Sequence, residues 1–88
     1  MNKLIIDAAN NNIFFMIVVK DNNYSIKHEN NKFNFKKIII LLNDFLKSKN
    51  LEINDLSKIY VNRGPGSFAG IRNSLSTIKA IHLVKKID

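Results

Sequence analysis

Hydrophobic positions change their spacing along the chain. Lys3 to Ala8 is a short apolar run, stopped by Asn10, Asn11 and Asn12, and it predicts a buried strand. Ile13-Phe14-Phe15-Met16-Ile17-Val18-Val19 follows without a polar break. Its aromatic and β-branched content and flanking turn residues favour a second strand over a buried helix. A strand apolar on both faces belongs inside a sheet. Asp21-Asn22-Asn23 supplies hairpin chemistry, because Asn tolerates positive φ. Tyr24, Ile26 and His28 then alternate with Ser25, Lys27 and Glu29, the pattern of a half-exposed third strand. Three antiparallel strands are expected to open the domain.

The period then lengthens. From Asn34 to Lys49, residues Ile38, Leu41, Leu42, Phe45 and Leu46 share one helical stripe; Ile39 widens it and Ile40 points away. Asn34 is the expected N-cap, and Lys47 and Lys49 suit the negative end of the helix dipole. Lys58-Ile59-Tyr60-Val61 predicts a fourth strand, Asn62 to Ser67 a tight loop, and Phe68 to Lys86 a long second helix. That helix would carry two apolar faces, Ile71, Leu75, Ile78 and His82 on one, Ala80, Leu83, Val84 and Ile87 on the other. A helix lying on a sheet needs one stripe, so a second implies a partner helix. The order β-β-β-α-β-α predicts an α/β fold, a mixed sheet with two helices in the manner of ribonuclease H-like folds. Residues 1–88 are expected to form a single domain, without repeat or linker.

Composition adds bounds. A chain of 88 residues buries only about 60–65% of its unfolded surface, so its stability is marginal. It has no cysteine for a disulfide or thiolate site. Ile13 to Val19, the longest apolar run, is far short of the roughly 20 residues that span a bilayer. Met1-Asn2-Lys3 leads straight into Leu4-Ile5-Ile6-Asp7, too short an apolar region for a signal peptide. A cytoplasmic protein with no membrane partner is expected. The net charge of +7 and pI near 9.9 are those of a nucleic-acid binder. Yet Lys3, Lys20, Lys27, Lys32, Lys47 and Lys58 are scattered, and the wealth of Lys, Asn and Ile is what an A·T-rich coding sequence produces. Charge alone leaves solvated surface and nucleic-acid patch both open.

The densest chemistry is Arg63-Gly64-Pro65-Gly66-Ser67-Phe68-Ala69-Gly70-Ile71-Arg72, between a strand and a helix. The glycines permit unusual backbone angles, Pro65 fixes one φ, and Ser67 can cap the first helical turn. Such a turn either attracts an anion or simply links strand to helix. It lacks the Gly-Lys-Ser/Thr of a Walker loop and misses the dinucleotide fingerprint by one residue. Arg63 and Arg72 suit an interfacial carboxylate, a phosphate or a structural hydrogen bond. Asp7 ends a strand and is read as a cap. His28 and His82 have no second ligand at metal spacing, and no carboxylate pair suits acid–base work. No metal, cofactor or catalytic residue is expected.

The ten-residue run from Arg63 to Arg72 is similar to the signature of the TsaB family, in which Ala69 is usually threonine. An opening strand ending in Asp7-Ala8-Ala9 (Asp-Thr-Ser in the family), a hairpin, an amphipathic helix and the Leu51, Asp55, Leu56 segment agree in order, so the resemblance spans essentially the whole chain. It implies an actin-like fold and a non-catalytic dimerisation subunit in tRNA threonylcarbamoyladenosine synthesis. The partner it implies is a TsaD-like transferase met through the two helices, with a TsaE-like ATPase in the larger complex and tRNA contacted only indirectly. Candidate interface residues are Ile38, Leu42, Phe45, Ile71, Leu75, Ile78, Ala80, Leu83, Val84 and Ile87. The chain departs from the family in Ala8 and Ala9, in Asn34-Phe35 where His-Ser is usual, in its basic charge and in its length, ending before the strand that completes the first lobe. A small basic tRNA-binding module and a self-associating remnant are the alternatives.

Overall fold

Seven consecutive apolar residues and a polar two-residue loop make the first three strands a meander. The computed structural model describes residues 2–62 and 67–87. Strand β1 (Asn2–Asp7) pairs antiparallel with β2 (Asn12–Val19), and β2 with β3 (Asn22–Glu29). A short helix α1 (Lys32–Lys36) and a longer α2 (Ile38–Ser48) then lead through a 3-10 turn at Ile53–Asp55 to β4 (Lys58–Asn62). Helix α3 (Ser67–Ser76) precedes a second 3-10 turn, Ile81–Leu83, and a final strand β5 (Val84–Ile87). The mixed sheet has the order β3-β2-β1-β4-β5, with β1–β4 and β4–β5 parallel.

Alternation decides which side of the sheet is the core. Leu4 and Ile6, Ile13, Phe15 and Ile17, and Ile59 and Val61 are buried, and they form one cluster with Ile38, Leu42, Phe45 and Leu46 of α2 and Ile71 and Leu75 of α3. Phe15 stacks on Phe45 with ring centroids 6.2 Å apart. Full burial of each such side chain contributes about 1.5–3 kcal/mol, which is what holds two short helices on the sheet.

The long second helix is the main correction. Helix α3 ends at Ser76, and the segment that follows bends back into β5. Lys79 takes a left-handed φ of 56°. Its N–H bonds to the Ser76 carbonyl at 3.1 Å, and that of Ala80 to the Leu75 carbonyl at 3.3 Å. This is a Schellman closure. Ala80, Leu83, Val84 and Ile87 therefore form no second helical stripe. The strand expected to be missing is β5, paired with β4 from Ile59↔Val84 to Asn62↔Ile87.

Two smaller boundaries also move. The hairpin turns at Lys20-Asp21, with Lys20 at φ 54°, and Asn22 and Asn23 already lie in β3. The first helix begins earlier and is broken at Lys37: its N-cap is Asn31, whose side chain accepts from the Asn34 N–H at 2.8 Å. Asn34 instead donates its side-chain amide to the Glu29 carbonyl.

Candidate functional site

Three regions compete for function: the turn after β4, the outer side of the helices, and the pocket beside α2. Arg63, Gly64, Pro65 and Gly66 lie outside the described residues, as does the side chain of Ser67. The turn after β1 lies within the described residues. Asp7 closes β1, and its carboxylate accepts the Ala9 N–H at 3.1 Å, the cap expected of it. Ala8 is buried and Ala9 exposed. The Asn30 side-chain amide donates to the carbonyls of Ala8 and Asn10, both at 2.7 Å, and pins the β1–β2 turn against the start of α1.

The described part of the signature segment is used for packing. Phe68 is half-buried, and the Lys86 ammonium sits over its ring, 5.4 Å from the centroid, tying β5 to the start of α3. Gly70 lies against Phe35 of α1, so closely that a Cβ there would stand 3.1 Å from two ring carbons. Glycine here lets two helices approach, a requirement separate from any turn geometry. Arg72 is exposed. His82 is exposed; His28 is half-buried beside the Phe15 ring, 6.1 Å centroid to centroid, with Nε2 unpartnered. Among the described residues no group of three or more His, Asp or Glu is placed to hold a metal ion.

The candidate interface residues fall in three places. Ile38, Leu42, Phe45, Ile71, Leu75 and Ala80 are buried in the chain's own core, where no partner can touch them. Ile78, Leu83 and Val84 are half-buried against that core. Ile87 is half-buried on the other face of the sheet, since it lies an odd number of positions, three, from Val84, which pairs with buried Ile59. Ala80, Leu83, Val84 and Ile87 were assigned to a surface because α3 was expected to run further, and the other six because the resemblance places both helices at an interface.

The apolar groups that do reach solvent are different. Phe33 of α1 is 71% exposed and Ile40 of α2 59% exposed. Lys37 holds its ammonium 4.5 Å from the Phe33 centroid. Ile40 was legible as the residue facing away from the stripe; Phe33 was missed, and its signal was an aromatic set among Lys32, Lys36 and Lys37 in a segment without acids. On β3, Tyr24 and Ile26 are exposed, with Lys49 at the end of α2 over the Tyr24 ring at 4.7 Å. A depression of about 350 Å³ lined by Asn43, Leu46, Lys47, Leu51, Glu52, Ile53 and Asn54 lies between the end of α2 and the 3-10 turn at Ile53–Asp55. There Ser57 and Asp55 bond to Asn2.

A family model described as TsaD, tRNA N6-adenosine threonylcarbamoyltransferase, matches residues 27–88. The match leaves out β1, β2 and the turn between them that carries Ala8 and Ala9. A tRNA threonylcarbamoyladenosine biosynthesis protein TsaB from Buchnera aphidicola subsp. Baizongia pistaciae (strain Bp) is 29% identical over 68 residues, 67% of this chain and 31% of that protein. The solved structure of YeaZ from Pseudomonas aeruginosa superposes with a TM-score of 0.74 at 15% identity, covering 99% of this chain and 43% of that one. A second solved chain, described as a protein with similarity to peptidase YEAZ from Pseudomonas aeruginosa, gives the same figures. The fold is thus the α/β, actin-like and ribonuclease H-like one, and the chain is TsaB-like. It spans about a third of the length of the curated relative and under half that of the solved structures.

Proposed function

Because the chain belongs to the TsaD family, whose model describes a tRNA N6-adenosine threonylcarbamoyltransferase, we propose that it serves threonylcarbamoyladenosine synthesis as a non-catalytic subunit bound to a TsaD-like transferase. The observation that carries the pairing is the exposure of Phe33 and Ile40 on the helical side of the molecule. A large aromatic and a large aliphatic group left in water on consecutive helices are the anchors a helix-to-helix interface uses. The non-catalytic part is supported by Ala8 and Ala9, which offer no hydroxyl beside Asp7, and by the use of the Asp7 carboxylate as a local cap.

Co-expression with the TsaD-like protein and size-exclusion chromatography test the pairing. Co-elution is expected, with Ile40→Asp and Phe33→Asp each weakening affinity by about tenfold or more, because a buried unpaired carboxylate costs 1 kcal/mol and upward at an interface. Clean separation of the unaltered proteins overturns the reading. A TsaE-like ATPase belongs to the same proposal as a further member of the complex.

One observation favours a second reading. Helix α1 and its C-cap carry Lys32, Lys36 and Lys37, no acid, and the exposed Phe33 ring, a combination suited to phosphates and a stacked base. Direct tRNA binding of this kind requires a steep fall of affinity with salt. An affinity unchanged between low and high salt removes it.

A further inference from the structure

We draw no further inference here: the strongest candidate, the partly exposed apolar face of the sheet opposite α2 and α3, on which Ile5, Phe14, Met16 and Tyr60 lie, carries nothing, because nothing in the structure shows what covers it and the chain spans under half the length of the solved structures it matches.

Discussion

Among the described residues, three without glycine's freedom hold left-handed backbone: Lys20, Asn50 and Lys79, at φ 54°, 57° and 56°. Asn50 and Lys79 do the same work. After α2, the Asn50 N–H bonds to the Lys47 carbonyl and the Leu51 N–H to that of Leu46, the bonding seen again after α3. Asparagine announces such a cap and lysine does not, so the end of α2 was legible while the end of α3 was not. Nearby hydroxyls reinforce the stop: Ser74, Ser76 and Thr77 donate to the carbonyls of Gly70, Asn73 and Ser74. A left-handed lysine costs about 1 kcal/mol, partly matched by the greater unfolded freedom of glycine. Lys79→Gly should therefore raise stability by about 0.5 kcal/mol, read as a higher urea midpoint at unchanged slope. A lowered midpoint would show that Lys79 contributes something beyond its backbone angle.

Elements were legible where one signal dominated. The strands β1, β2 and β4 follow from unbroken apolar runs, and β3 from its alternation. Strand β5 was lost because Val84-Lys85-Lys86-Ile87 fits neither period, and the residues before it continue the helical spacing of α3 by coincidence. The joint between α1 and α3 was invisible for another reason: Phe35 and Gly70 are distant in sequence, and nothing local marks their meeting. Gly70→Val should cost about 1–3 kcal/mol by driving the Phe35 ring outward. The added loss should shrink in a Phe35→Ala background, where the ring is gone; undiminished loss in that double variant would place the strain elsewhere.

For the whole molecule, a single small core sets the margin. Native stability at this size is on the order of 5–10 kcal/mol, and Leu75, fully buried, joins α3 to the sheet. Leu75→Ala should cost about 2–5 kcal/mol, a large share of that margin, visible as a lowered thermal unfolding midpoint by circular dichroism. Leu75→Asp would act through the fold, so a loss of association in that variant says nothing about an interface. The mixed sheet and its fold class were legible from element order and from the resemblance carried by the signature segment. Which residues meet a partner was not, because period alone cannot tell a stripe buried at home from one offered abroad. That decision belongs to where α3 ends.

The central strand is made first and completed late. Asn2, at the start of β1, accepts a hydrogen bond from Ser57, a separation of 55 residues. On the ribosome, β1 can fold back on β2 within moments, yet its other edge stays bare until β4 emerges, because parallel pairing depends on distant chain. A nascent hairpin this greasy, with one row of amides and carbonyls unclaimed, is a natural client for a chaperone throughout that interval.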